Sequence, residues 1–91
     1  MLSRVYDRYT DALSRAWAKV DKKATRTIRI FANNEVTILF DRGTRTQPPY
    51  VVVSVRNNQA IFDWLLEYCK SHRKVTTCRL TPRRKGGTIY C

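Results

Sequence analysis

From Leu2 to Val20, apolar residues return every three or four positions, and Leu2, Val5, Tyr6, Tyr9, Leu13, Ala16, Trp17 and Val20 form one stripe. Arg4, Asp7, Arg8, Asp11, Arg15 and Lys19 occupy the opposite side. This periodicity predicts an amphipathic helix over residues 3–20, uninterrupted by Gly or Pro. Asp11 and Arg15 stand in the favourable acid-first i,i+4 order, and Lys22 and Lys23 follow near the helix end, where cations complement the dipole.

At Thr25 the period changes to two. Residues 25–32 and 36–40 alternate β-branched and polar positions around Asn33-Asn34-Glu35, which predicts a hairpin. A three-residue loop pairs Ile28 with Phe40, Ile30 with Ile38 and Ala32 with Val36. That register makes one face continuously apolar and turns Arg29 to the other. Residues 41–49 read as a loop, with Arg42-Gly43-Thr44-Arg45 and Pro48-Pro49, and Tyr50 to Arg56 as a nearly all-apolar, central third strand. Asn57 and Asn58 are good N-caps for a second helix that carries Ile61, Phe62, Trp64, Leu65, Tyr68 and Cys69 on one side and ends near His72. Lys74 to Leu80 reads as a fourth strand, Thr81 to Gly87 as a loop, and Thr88 to Cys91 as a short strand that pairs back with the fourth.

The order α-β-β-β-α-β-β predicts an α+β two-layer sandwich, an antiparallel sheet with two helices packed on one face. Its core would set Ile28, Ile30, Val36, Ile38, Phe40, Val51, Val53 and Val55 against Val5, Tyr9, Leu13, Trp17, Ile61, Leu65 and Tyr68. The other sheet face would show Thr27, Arg29, Thr37, Leu39, Val52, Ser54 and Arg56, suiting a nucleic-acid platform or a dimer contact. With 91 residues and no internal repeat or linker, the chain is expected to form a single domain over residues 1–91.

Charge then separates this chain from a generic sandwich. Eighteen Lys and Arg against seven Asp and Glu leave a net charge of +11, and such a field favours polyanionic partners. Twelve of the eighteen cations are Arg, whose planar fork suits phosphate. Beyond Glu67 there is no acid, while Lys70, Arg73, Lys74, Arg79, Arg83, Arg84 and Lys85 follow. The segments Arg42-Gly43-Thr44-Arg45-Thr46 and Thr81-Pro82-Arg83-Arg84-Lys85-Gly86-Gly87 each combine cations, small residues and hydroxyls, a combination that grips phosphate. Arg42, Arg45, Arg83, Arg84 and Lys85 are therefore the leading nucleic-acid-binding candidates, with Arg73, Lys74, Arg29 and Arg56 in support. Among ten aromatics, only Tyr50 and Tyr90 are left as stacking platforms once core and flank positions are assigned.

Catalytic and metal chemistry is thinly represented. Cys69-x-x-His72 with Cys78 and Cys91 has the residue types of a Cys3His zinc site, but the later spacings match no finger or knuckle, and a buried Cys behaves as a small hydrophobe. No acid after Glu67 orients His72, and phosphate-binding glycine motifs are missing. The expectation is a non-enzymatic protein with no cofactor and no metal, a small basic ribonuclease being the enzymatic alternative. Three cysteines are an odd number without a C-x-x-C pair, which points to an intracellular, reducing compartment, cytoplasm or nucleus. No run is long enough for a membrane span. The Arg-bearing start resembles a mitochondrial presequence, but Asp7, Asp11 and Asp21 speak for structure instead.

The α-β-β-β-α order resembles that of double-stranded-RNA-binding domains and of the small Alu-domain proteins of the signal recognition particle, and some eukaryotic ribosomal proteins are similar. The likeness is one of element order. The double-stranded-RNA family starts its second helix with a Lys-Lys-rich segment, where this chain has Asn57-Asn58-Gln59-Ala60, so no residue role is transferred.

Together these readings lead to an RNA-binding module, DNA remaining open, that contacts phosphates through its Arg/Gly loops as part of a ribosome-like ribonucleoprotein. The first alternative is a viral or phage accessory protein that dimerises through its sheet face and binds nucleic acid non-specifically. The second is an interaction domain for an acidic protein partner.

Overall fold

The computed structural model describes residues 2–56, 59–83 and 86–91, and for residues 2–6 and 82 the backbone alone. Its elements run α1 (Leu2–Asp21), β1 (Thr27–Ile30), β2 (Val36–Asp41), β3 (Tyr50–Val55), α2 (Gln59–Arg73), β4 (Arg79–Arg83) and β5 (Gly86–Tyr90). All neighbouring strands are antiparallel, in the order β1-β2-β3-β5-β4. This is the expected α+β sandwich with β3 at its centre. The expected N-caps Asn57 and Asn58, and the side chain of Val5 in the expected core, lie outside the described residues and side chains.

Alternation along the strands decides what is buried. Val36, Ile38 and Phe40 on β2, Val51, Val53 and Val55 on β3, and Ile89 on β5 are buried against Leu13, Trp17 and Val20 of α1 and Ile61, Leu65 and Cys69 of α2. α1 packs on β1 and β2, and α2 on β3 and β5. Ile28 pairs with Phe40 and Ile30 with Ile38, the register that the hydrophobic pattern demanded. The edge-to-face packing of Trp17 and Phe40, with centroids 4.6 Å apart, adds about 1 kcal/mol beyond the area buried.

Asp41, expected to open the 41–49 loop, is the last residue of β2, and the strand boundaries depart furthest from expectation at three other places, each for a local reason. β1 stops at Ile30 because Phe31 takes φ 53°, which brings its ring edge-on to Tyr9 at 4.5 Å. β4 begins at Arg79 rather than Lys74, because Lys74 (φ 57°) closes α2. There the N–H groups of Lys74 and Val75 donate back to the carbonyls of Ser71 and Lys70, a Schellman closure. α1 ends the same way at Lys23 (φ 60°), with Lys23 and Ala24 bonded to Val20 and Lys19. Finally, Thr81 to Arg83 and Gly86 to Gly87 are paired strand rather than loop. Pro82 is accommodated because β4 is an edge strand, where a missing donor is tolerated. Gly86 (φ 114°) lies so close to β3 that a Cβ would meet the Val53 carbonyl oxygen at 2.0 Å, which lets β5 start directly beside β3.

Candidate nucleic-acid interface

Among the described residues, no other element covers the sheet face turned away from the helices. Strand register sets out its rows. Across one end run Thr27, Asp41, Tyr50, Tyr90 and Arg79; across the middle run Arg29, Leu39, Val52, Thr88 and Thr81. Thr37 and Ser54 face out at the other end, where Arg83 lies opposite Gly86 and exposed Arg56 follows β3. From β1 to β4 the face is four strand spacings wide, about 19 Å.

Asp41 organises the first end. Its carboxylate, 5 % exposed, accepts from the Gly43 N–H at 2.7 Å, the Thr27 hydroxyl at 3.1 Å and the Tyr50 hydroxyl at 3.2 Å, while Arg26 Nε lies 3.6 Å away. Burial by itself would raise its pKa, but the Gly43 and Thr27 hydrogen bonds, the Arg26 charge and the Tyr50 hydroxyl outweigh it, holding the carboxyl below its usual value. Burial and the neighbouring Asp41 charge raise the Tyr50 phenol in turn. Gly43 (φ 80°) folds the 42–49 loop so tightly that a Cβ would meet the Gln47 carbonyl oxygen at 2.4 Å. The two positive-φ glycines in the basic loops thus serve the fold directly, rather than leaving room for a phosphate.

Beside this anchor the Tyr50 and Tyr90 rings sit 5.7 Å apart, and the Arg79 guanidinium lies 4.7 Å over Tyr90. The two tyrosines that the sequence left as stacking platforms are therefore neighbours on adjacent strands. Arg79 was not among the sequence candidates; its signal lies in the alternation Arg79-x-Thr81-x-Arg83, which shows once the strand expected over 74–80 is continued to Arg83. At the other end two shallow depressions meet at Ser54. One, of about 210 Å³, reaches Val52, Thr88 and Arg83, and the other, of about 220 Å³, reaches Thr37, Arg56 and the 33–35 loop.

The structure distributes the nine candidate cations unevenly. Arg29, Arg56 and Arg83 stand on the rim of the open face, exposed and without an ion pair among the described residues. Arg45 is exposed in the loop beyond Asp41. Arg42 is half-buried, its Nη1 enclosed without a hydrogen-bond partner among the described residues; its N–H continues the ladder to Arg26, and alternation turns its side chain to the helix side. Arg73 is committed to Asp21 at 3.1 Å and to the Trp17 ring at 4.9 Å, where it joins the two helix ends. Lys74 is exposed at the end of α2, in the helix layer. Arg84 and Lys85 lie outside the described residues. Nor do the two basic loops converge: the 42–46 loop follows the Asp41 end of β2, whereas Arg83 faces Gly86 at the opposite end of the sheet.

The metal candidates are dispersed too. Cys78 and Cys91 form a disulfide, Cys69 is a core thiol pushed up to about 12 by burial, and His72 Nε2 lies 2.9 Å from Asp21. Sequence reasoning sought an acid for His72 downstream and missed Asp21, which the helix pairing supplies. One disulfide and one core thiol account for all three cysteines, so their odd number gives no ground for a reducing compartment. No helix among the described residues is long and apolar enough to cross a membrane.

No protein-family model, no curated protein and no solved structure matches this chain.

Proposed function

We propose that this protein binds RNA without catalysing its cleavage, as one component of a ribonucleoprotein, and that it does so across the open face of its sheet. The observation that carries the proposal is the composition of that face. Its sheet positions hold one acid, Asp41, already engaged by four partners, with Glu35 in the loop beside one depression, while Arg29, Arg56, Arg79 and Arg83 border the face that carries Thr37 and Ser54. Guanidinium forks and hydroxyls are the groups that position a phosphate backbone.

Binding measured over a salt series tests this reading. Log K should fall linearly with log salt, and replacing Arg29, Arg56 and Arg83 together by Gln should flatten the slope by about 0.7 to 0.9 for each phosphate that is no longer neutralised. A flat dependence, or a triple variant that binds like the wild type, refutes it. Leu39 and Val52, half-buried at the centre of the face, favour a second reading in which two copies pair through it. Sedimentation equilibrium showing only monomer at micromolar concentration removes that reading.

A further inference from the structure

We infer that the open face accepts a single-stranded polynucleotide rather than a duplex, one unpaired base stacking at the Tyr50, Tyr90 and Arg79 end and the attached backbone running towards Ser54, Arg56 and Arg83. This deepens the nucleic-acid reading above and rests on it. The face is chemically polarised. One end carries two neighbouring phenol rings at 5.7 Å with a guanidinium 4.7 Å over the second, and aromatic and guanidinium planes are the surfaces on which unstacked bases settle. The opposite end carries the two depressions of about 210 and 220 Å³ that meet at Ser54 between Arg83 and Arg56, with the hydroxyls of Thr37 and Ser54 as donors.

Between the ends lie Leu39 and Val52, on which a ribose or base edge can rest. Four residue steps along β3 carry the chain from Tyr50 to Ser54, about 13 Å, so both ends lie within reach of a few nucleotides. In a duplex the bases are stacked on one another and turned inward, leaving the tyrosine end without a partner. Tyr50 is also held ready: its hydroxyl donates to Asp41 at 3.2 Å, which restricts its ring before any base arrives.

The test compares binding of a poly-pyrimidine single strand, as RNA and as DNA, with a duplex containing the same strand. The single strand should bind more tightly than the duplex. Tyr90→Leu should weaken it on the order of 10-fold without changing the salt slope, whereas Tyr90→Phe, which keeps the ring, should bind like wild type. Arg83→Gln should lower the slope by about 0.7. Arg79→Gln, at an exposed position, is the second stacking variant should Tyr90→Leu fail to show a wild-type circular-dichroism melt; it too should weaken single-strand binding at unchanged fold. RNA preferred over DNA would assign a contact to the 2′-hydroxyl; equal binding would leave base and phosphate as the recognised groups, and both agree with the inference. A duplex bound as tightly as the single strand, or folded Tyr90→Leu and Arg79→Gln variants with wild-type affinity, overturns the inference while leaving phosphate binding in place. Binding of neither form at low salt overturns the underlying reading as well.

Discussion

Asp41→Asn is the most informative single change to the site, because it alters charge while keeping shape. The amide oxygen can still accept from Gly43, and its NH2 takes the place of the oxygen that faced Thr27 and Tyr50, whose hydroxyls rotate to accept. What disappears is the difference between hydrogen bonds to a carboxylate and to a neutral group, roughly 1 kcal/mol for each of three bonds. Relief of burying a charge returns part of this, and Arg26, more than half exposed, adds little. The expected loss of stability is about 2 kcal/mol at pH 7, measured by urea unfolding with the fluorescence of Trp17 and Trp64 as the signal. The pH dependence has a definite sign. Because the folded carboxyl lies below its unfolded value near 3.8, its stabilisation is complete above that value and disappears as pH falls through the folded pKa. The gap between wild type and Asp41→Asn should be full at pH 5 and above and close towards pH 2. Equal stability at pH 7, or a gap that stays constant down to pH 2, would refute the assignment of Asp41 as an ionised anchor.

Four further outcomes concern the cross-link, the core thiol and the backbone at Lys74 and at Gly86. Reducing the Cys78–Cys91 disulfide, which closes a loop of sequence separation 13, should cost about 3 kcal/mol in the chain-entropy picture, read as a lower melting temperature with dithiothreitol. In the oxidised native protein Cys69, buried and with its thiol pushed up to about 12, should resist alkylation at pH 8, and one thiol should appear on denaturation. In urea unfolding, Lys74→Gly should raise stability by about 0.5 to 1 kcal/mol, since Lys74 holds φ 57° at a helix end where Gly meets no Cβ penalty. By the same measurement Gly86→Ala should destabilise by about 2 kcal/mol or more, because its Cβ would run into the β3 backbone.

The helices, the β1–β2 register and the central position of β3 were legible because each rests on a hydrophobic period read over several residues. The C-terminal hairpin was harder. Pro82, Gly86 and Gly87 carry loop chemistry, yet edge position and close approach to β3 make them strand, and both facts depend on the neighbouring strands. For the site, Arg29 and Arg56 follow from alternation alone, and Tyr50 and Tyr90 emerge by elimination. That they touch is a consequence of β5 inserting between β3 and β4, which no local signal announces. Arg73 and Arg42 looked as free in sequence as Arg83; Asp21 and Trp17 claim the first and partial enclosure in the sandwich the second. The disulfide was obscured by an odd count, since Cys69 is there for packing.

β4 has no helix behind it, and Leu80, its apolar residue on the helix side, is 38 % exposed. The strand is therefore held by its ladder with β5 and by the Cys78–Cys91 cross-link at the end where Arg79 and Tyr90 meet. Elements with so little burial open locally at a small fraction of the global unfolding free energy. Amide protons on β4 should accordingly exchange through excursions that leave β2 and β3 intact. Arg79 and Arg83, one wall of the face, thus belong to a separately breathing unit, and oxidation of a single cysteine pair sets how often that wall is in place.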